Sequence, residues 1–285
     1  MFLQPAYEAT NIILFFDPEY LTAANYRKRR ITELLRQNGQ GSDLTAIFNR
    51  ELLYVTSVLT SPLHRQSKSP TLWAHRFWLL DFSLQQGLEN HSPKSNPMDC
   101  AQNMFYPVFR SAEQHPKNYY AWQYARKMMS RAGELPQNNT QLERNNWLDN
   151  FVAASATLVK KWCLQHPSDI SGWSYLVFHL RLVKNSNRRN EIAGSILNFA
   201  IDVRSKQESI WVFIRSTLAD PTLKIDGHLQ IQLEALEEEL RTTETVDNTF
   251  RGLVVQTSKW ISLYRKEHAK QAPPIHETPD YMNPY

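Results

Sequence analysis

Glycine, cysteine and long hydrophobic runs are all scarce in this 285-residue chain. Its 8 glycines are too few for a turn-rich β protein. The 2 cysteines, Cys100 and Cys163, are too sparse for a disulfide scaffold and fit a reducing compartment. The longest early apolar run, 12–16, is far too short to cross a bilayer, and no basic, apolar leader precedes it. We therefore expect a cytoplasmic protein without stable membrane insertion.

The chain also lacks a large excess of charge of either sign. The 32 basic and 28 acidic residues leave a net charge of only +4. A nucleic-acid-binding domain usually carries a stronger and more clustered basic excess. The one tight basic cluster, Arg27 to Arg30, falls in a helical stretch, and most of the charge is expected to be ordinary solvated helix surface. We expect no nucleic-acid partner.

The motifs of self-contained catalysis are missing as well. The sequence has no His-Glu-x-x-His, no Gly-x-Ser-x-Gly and no glycine-rich phosphate loop. Neither cysteine belongs to a close pair of metal ligands. His115 and His166 each precede a proline in a loop, and we expect them to cap a helix or pack in a turn. The sequence thus predicts no metal site and no cofactor in this chain.

What the sequence does have is a repeat marked by tryptophan. Trp73, Trp122, Trp173 and Trp211 are spaced by 49, 51 and 38 residues, and Ala24 stands 49 residues before the first of them. A proline-containing loop leads into several copies: Asp17-Pro18, His115-Pro116 and His166-Pro167. Tryptophans are large apolar side chains, so these four are expected to be core residues of the repeats.

Helical periodicity flanks each loop, so each copy is expected to be a helix–loop–helix hairpin. One hairpin cannot bury its apolar face alone, so neighbouring copies must stack. The sequence therefore predicts an all-α fold: a right-handed α-α superhelix, or solenoid, of about five hairpin repeats. We expect the repeat domain to occupy residues 1–270 and a disordered tail to occupy 271–285. In the stretch 100–114, Pro107 indicates either a kinked helix or a helix that begins there.

The third copy carries a family resemblance. Residues 117–123, Lys-Asn-Tyr-Tyr-Ala-Trp-Gln, closely resemble the repeat signature of protein prenyltransferase α subunits, roughly Pro-x-Asn-Tyr-x-x-Trp-x-x-Arg. Residues 68–80 and 17–28 look closer to the divergent, repeat-containing orphan α-like subunits. The resemblance covers about residues 10–220. It implies a crescent of hairpins that wraps a β subunit, which holds the zinc ion and the isoprenoid diphosphate.

The resemblance also implies a function. The chain would be the α-type subunit of a heterodimeric protein prenyltransferase, inactive alone. With a Rab-type β subunit it would transfer a prenyl group, expected to be geranylgeranyl, to protein cysteines. The chain would contact prenyl diphosphate and the protein substrate as part of that complex.

Two lysines and five neighbouring residues are the candidate site that the resemblance implies. Lys68 and Lys117 each stand five residues before a repeat tryptophan and would act near the diphosphate. A lysine there would stabilise charge building on the leaving group, although a solvated loop lysine is the plainer interpretation. The implied substrate-binding residues are Arg76, Asn118, Tyr119, Tyr120 and Arg126.

Some positions depart from the family pattern. The aromatic residue and the glutamine that follow the second-repeat lysine are matched here by Pro70 and Thr71, and the third-repeat histidine by Tyr120. The classical contacts to a free C-terminal carboxylate are therefore not expected. The alternative is a non-catalytic, tetratricopeptide-like interaction scaffold. The period near 49 speaks against the tetratricopeptide period of about 34. The degenerate fourth and fifth copies nevertheless leave room for an α-like protein that has lost its enzymatic partner.

Overall fold

The computed structural model describes residues 5–38, 42–86, 96–132, 141–243 and 247–271, and all regular elements in these ranges are helical. The predicted all-α class is confirmed. The helices are α1 (Pro5–Phe16), α2 (Leu21–Asn38), α3 (Ser42–Leu59), α4 (His64–Ser67), α5 (Pro70–Gln86), α6 (Pro97–Gln114), α7 (Tyr119–Arg131), α8 (Gln141–Gln165), α9 (Ile170–Leu180), α10 (Ser186–Asp202), α11 (Glu208–Ala219), α12 (Gly227–Thr242) and α13 (Asn248–Gln271).

The chain forms two compact units, Met1–Ile192 and Ala193–Tyr285, whose boundary falls within α10. The prediction of one repeat domain over 1–270 is not decided by this division, and the handedness of the superhelix also stays a prediction. The predicted tail, apart from its first residue, lies outside the described residues.

The first unit is built of two layers of stacked helices. In one layer α3 packs against α6 and α6 against α8, and in the other α2, α5, α7 and α9 follow each other in contact. Each helix of a hairpin also packs against its own partner, as α6 does with α7 and α8 with α9. This arrangement of consecutive pairs is the stacking that the tryptophan repeat predicted.

The four repeat tryptophans are core residues, as expected, with exposed fractions of 1–3%. Trp73, Trp173 and Trp211 also each make the same kind of hydrogen bond. The indole Nε1–H of each donates to the backbone carbonyl six residues earlier, that of Ser67, Pro167 and Ser205, at 2.8–3.0 Å. In these three copies the tryptophan thereby fixes the loop that precedes its own helix, whereas the buried Nε1 of Trp122 has no hydrogen-bond partner among the described residues.

Pro107 lies inside α6, so the helix begins ten residues earlier, at Pro97, and not at Pro107. Its start is set by Asn96, whose side-chain Oδ1 accepts a hydrogen bond from the Met98 N–H at 2.9 Å. Pro107 itself is buried and removes one hydrogen bond from the helix interior.

The second unit contains α11 to α13 and the last part of α10. Helix α13 packs against both α11 and α12. Trp211 meets Phe250 edge to face, with ring centroids 5.8 Å apart, and Leu229, Leu233 and Leu240 are buried, as the spacing in this stretch indicates.

Candidate functional site

The loops that lead into α2, α5, α7 and α9 are joined by a ladder of hydrogen bonds between repeats. The residue four positions before each tryptophan of the first unit caps the helix that follows. These residues are Ser69, Asn118 and Asp169, and each accepts a hydrogen bond from a backbone N–H in the first turn of that helix. Each also reaches back about one repeat to the preceding loop. The ladder therefore fixes the spacing of successive loops along one end of the hairpins.

The loops that carry the two predicted lysines lie against each other. The side-chain amide of Asn118 donates to the Ser67 carbonyl at 3.0 Å and to the Ser111 hydroxyl at 2.8 Å. The hydroxyls of Ser67 and Ser111 are 2.7 Å apart. Since Lys68 follows Ser67 and Lys117 precedes Asn118, both predicted lysines flank this single buried contact.

Asn118 itself is fully buried. Its Oδ1 caps α7 by accepting from the Ala121 N–H at 3.3 Å, while its Nδ2 is used in the contact to the neighbouring loop. In this structure its polar atoms are occupied by the scaffold. Its predicted contact with substrate stays a prediction, and the structure gives the side chain a positioning role.

Lys117 is held in an uncommon backbone conformation. Its φ angle is +60°, in the left-handed region that a lysine rarely adopts. The backbone N–H of Lys117 donates to Oδ2 of Asp169 at 2.6 Å, and its carbonyl accepts from the Tyr119 N–H at 2.9 Å. Lys117 is exposed, whereas Lys68 is half-buried. The loop thus fixes the backbone and leaves the Lys117 side chain accessible to an anion.

Tyr119 and Tyr120 begin α7 and are both exposed, at 59% and 39%. Their rings meet edge to face at 5.7 Å. Together with Phe77 and Lys127 they line a shallow groove of about 340 Å³ between α5 and α7. The groove brings the two predicted tyrosines together on an aromatic surface with one cation.

The two predicted arginines lie in different surroundings. Arg126 donates from Nη2 to the Ser174 carbonyl at 3.1 Å, and its guanidinium lies 4.7 Å from the Phe178 ring centroid. Burial lowers the pKa of Arg126. Arg76 is only 9% exposed and donates from Nη1 to the Tyr124 hydroxyl at 2.5 Å. The structure therefore does not gather all seven predicted residues in one pocket: Arg76 lines a second cavity, between α3, α5, α6 and α7.

The two loop histidines have the structural roles expected of them. His115 is the C-cap residue of α6, and its ring meets that of His64 at 5.3 Å. His166 stacks on Trp162 at 4.3 Å and places Nδ1 2.9 Å from the Trp162 carbonyl. Burial is the main cause that lowers the pKa of His115, followed by the charge of His64.

A buried charge network in the first two repeats was not predicted from the sequence. Glu51 on α3 accepts hydrogen bonds from Arg27 Nε at 2.9 Å and from the Tyr7 hydroxyl at 2.6 Å. His75 Nε2 lies 2.8 Å from Glu51 Oε1, the same oxygen that accepts from Arg27 Nε. Arg27 also donates to Thr10 Oγ1 at 2.7 Å. All five groups are buried, so this network holds α1, α2, α3 and α5 together.

The pKa values of the network follow from its contacts. Burial alone would raise the pKa of Glu51, but the close contact with His75, the hydrogen bonds from Arg27 and the charge of Arg27 lower it to about 2. Burial lowers the pKa of His75 against the opposing effect of Glu51. Glu51 is therefore a carboxylate and Arg27 a guanidinium cation at neutral pH, and the basic residue Arg27 serves the scaffold.

The described ranges contain neither a cluster of metal-ligand side chains nor a helix suited to a membrane. No group of three or more His, Cys, Asp or Glu side chains there is arranged to hold a metal ion. Among these helices, none is both long and apolar enough to span a bilayer.

Comparison with known proteins finds a matching family model and several similar proteins. A family model described as the ECM9 middle domain matches residues 78–203. The Xenopus laevis protein named protein prenyltransferase alpha subunit repeat-containing protein 1-B is 24% identical over 219 residues, 72% of this chain and 45% of that protein. Its Homo sapiens counterpart, repeat-containing protein 1, is 28% identical over 185 residues, 61% of this chain and 39% of that protein.

An enzyme subunit is also similar. Geranylgeranyl transferase type-2 subunit alpha 2 of Arabidopsis thaliana is 26% identical over 165 residues, 57% of this chain and 23% of that protein. The chain thus spans less than half the length of these relatives. Together the similarities confirm the predicted resemblance to the prenyltransferase α-subunit repeat proteins.

Proposed function

We propose that this chain is an α-type, non-zinc subunit of a cytoplasmic protein prenyltransferase. It binds a β subunit of the Rab type, which supplies the zinc ion and most of the isoprenoid pocket. Lys117 and Lys68 lie near the diphosphate in the assembled enzyme, which transfers geranylgeranyl to protein cysteines. Similarity to the prenyltransferase α-subunit repeat proteins supports the family, and similarity to the plant geranylgeranyl transferase subunit supports the choice of isoprenoid.

The observation that carries the proposal is the fixed backbone of Lys117. Asp169, from the next repeat, holds Lys117 with a φ of +60° while its side chain is exposed. A left-handed lysine costs about 1–2 kcal/mol relative to the ordinary helical conformation. Arg204 and Lys224 also have positive φ angles, so the conformation alone does not identify a ligand site. What supports the proposal is that a carboxylate of the next repeat holds the Lys117 backbone while its side chain stays exposed, which gives the base of a cationic side chain a defined position.

The chemistry assigned to the lysines is electrostatic. When the bond between the isoprenoid carbon and the diphosphate oxygen breaks, negative charge builds on the leaving diphosphate. An ammonium group already in place stabilises that charge without reorganising at the moment of reaction. The buried contact between Ser67, Asn118 and Ser111 keeps the loops of Lys68 and Lys117 at a fixed separation.

Co-expression with a Rab-type β subunit, followed by single-turnover transfer of labelled geranylgeranyl, tests this assignment. Lys117→Ala and Lys68→Ala are each expected to slow transfer at least tenfold without weakening assembly, which is read separately by co-elution. Lys117→Gly is the matched variant, because glycine accepts a φ of +60° without strain. It should be as slow as Lys117→Ala while restoring any stability that alanine loses. Wild-type rates in all three variants would contradict the role at the diphosphate.

A non-catalytic interaction scaffold is the second candidate, and one observation favours it. The groove lined by Tyr119, Tyr120, Phe77 and Lys127 is aromatic and open, as peptide-binding surfaces are. A chain that assembles with no β subunit but captures peptides through this groove, with capture lost in Tyr119→Ala, would support this second function instead.

A further inference from the structure

The first two repeats each have an arginine three residues after the repeat position, which is Ala24 in the first copy and Trp73 in the second. This arginine is paired with a carboxylate in the first copy and not in the second. Arg27, three after Ala24, is ion-paired with Glu51 from the following helix. Arg76, three after Trp73, has Cys100 in the place that corresponds to Glu51. Glu51 and Cys100 both stand 22 residues before the next repeat tryptophan.

A third residue supports this correspondence. His75 and Tyr124 each stand two residues after a tryptophan. His75 contacts Glu51 in the first set, and Tyr124 contacts Arg76 in the second. The two sets therefore occupy corresponding positions in their repeats, and the second has a thiol where the first has a carboxylate.

Where the carboxylate is missing, the structure has a cavity of about 460 Å³. Arg76, Cys100 and Tyr124 all line it. A cavity of this size lies within the range of about 300–1,000 Å³ that small-molecule sites occupy. Its other walls are largely apolar and include Phe48, Leu52, Leu80, Met104 and Met128. Leu53, 70% exposed, also lines the cavity and places it at the surface.

The cation in this cavity has no counter-charge in the part of the chain that the structure describes. Arg76 is 9% exposed, its Nε has no hydrogen-bond partner there, and its Nη1 is bonded to a neutral phenol. Burial raises the pKa of the Cys100 thiol to about 11, so the thiol is neutral. Burial also raises the pKa of Tyr124. Buried charges in proteins are normally paired, so this guanidinium lacks an anion.

We propose that the cavity between α3, α5, α6 and α7 binds an aliphatic monocarboxylate of medium chain length, whose head takes the position beside Arg76 that Glu51 takes beside Arg27. The carboxylate accepts hydrogen bonds from the Arg76 guanidinium and from the Tyr124 hydroxyl, whose proton is not used by Arg76. The aliphatic chain lies against Phe48, Leu80 and Met104.

The charge of the site selects against a diphosphate. Among the lining residues that the structure describes, Arg76 carries the one positive charge. One guanidinium balances a monoanion, whereas a diphosphate would bring uncompensated negative charge onto an apolar wall. The site is thus distinct from the loop of Lys68 and Lys117, and it does not depend on the function proposed above.

Calorimetric titration of the full chain with decanoate tests the proposal. We expect saturable binding of about one decanoate per chain and an increase of Tm with decanoate concentration. Arg76→Gln should weaken the affinity for decanoate at least tenfold. Decanol should bind the wild-type chain at least tenfold more weakly than decanoate does. Arg126→Gln is the matched control, because Arg126 is also part-buried on an aromatic face but does not line the cavity. It should leave the affinity within twofold.

A second variant keeps the test independent of any folding defect in Arg76→Gln. Cys100→Glu places a carboxylate on the chain where the first repeat has one, and it should abolish decanoate binding without lowering Tm. Equal decanoate affinity in wild type, Arg76→Gln and Cys100→Glu would overturn the proposal. So would the absence of saturable binding, or displacement of decanoate by stoichiometric geranylgeranyl diphosphate.

Discussion

The backbone N–H of Lys117 donates to the side-chain Oδ2 of Asp169 across 52 residues of sequence, at 2.6 Å. The other oxygen of Asp169 accepts from the N–H groups of Ser171 and Gly172 at the start of α9. One buried carboxylate therefore caps its own helix and holds the candidate lysine of the preceding repeat. Scaffold stability and the position of Lys117 are coupled through this side chain.

Asp169→Asn should separate the two roles of this carboxylate. An asparagine still offers one oxygen to α9, but its amide would face the Lys117 N–H donor to donor. We expect a loss of about 1–3 kcal/mol, from the unsatisfied buried groups, in urea denaturation. Asp226→Ala is the control, since Asp226 caps α12 at an exposed site, and it should cost only about 1 kcal/mol. Equal, small losses would mean that the contact between repeats contributes little.

Gly172→Ala should destabilise the chain by about 1–3 kcal/mol through overpacking. A Cβ at Gly172 would lie 2.6 Å from a ring carbon of Trp162 and 3.2 Å from one of Trp122. Gly252→Ala is the matched control: it is also helical, and a Cβ there meets nothing within 4 Å. That alanine should stabilise the helix by about 0.5–1 kcal/mol. Thermal unfolding measures the change in Tm of each variant relative to the wild type. A change in the same direction for both variants would refute the packing account.

Glu51→Gln should be among the most damaging single substitutions in the first unit. It leaves the guanidinium of Arg27, 2% exposed, without its counter-charge. Loss of one partner from a buried ion pair costs about 3–5 kcal/mol. Glu33→Gln, which breaks the exposed pair of Arg30 and Glu33, should cost less than about 1 kcal/mol. Denaturation of the two variants side by side gives the comparison, and similar costs would show that burial of the pair is unimportant.

Stability should fall on acidification below pH 6.5 because of His179. Burial lowers the pKa of His179 to about 4, while its Nε2 lies 3.0 Å from the Val152 carbonyl. An unfolded histidine has a pKa of about 6.5, so between the two values the unfolded state binds more protons. Full stability is thus present above about pH 6.5, and up to about 3 kcal/mol is lost as pH falls to about 4.

The contribution of His179 is isolated by substitution. His179→Gln can still donate to the Val152 carbonyl but does not titrate. Its free energy of unfolding should change less between pH 6.5 and pH 4 than that of the wild type. Identical pH profiles for the two proteins would contradict this assignment.

The sequence predicts the helices and the tryptophan core because both depend on local periodicity and on the size of one side chain. Trp73, Trp122, Trp173 and Trp211 mark the register, and the loop contacts follow from it. Pro107 was ambiguous, since its cost could be judged only once the buried face of α6 was known.

Glu51 was missed because a glutamate in a helical stretch is usually a surface residue. The available signal was its spacing: Glu51, Val55 and Val58 share one face, and all three are buried. Its partner Arg27 comes from the preceding repeat and His75 from the other helix of its own hairpin, so their convergence depends on how helices and hairpins stack. The same is true of the cavity at Arg76, which only the comparison of Glu51 with Cys100 in register would have indicated.

The proposed subunit role is tested most directly by measuring assembly. The chain is co-expressed with a Rab-type β subunit, and the complex is sized by light scattering during gel filtration. The proposal predicts a stable one-to-one heterodimer that transfers labelled geranylgeranyl to protein cysteines, with neither subunit active alone. A chain that elutes by itself in the presence of every prenyltransferase β subunit tested would contradict it.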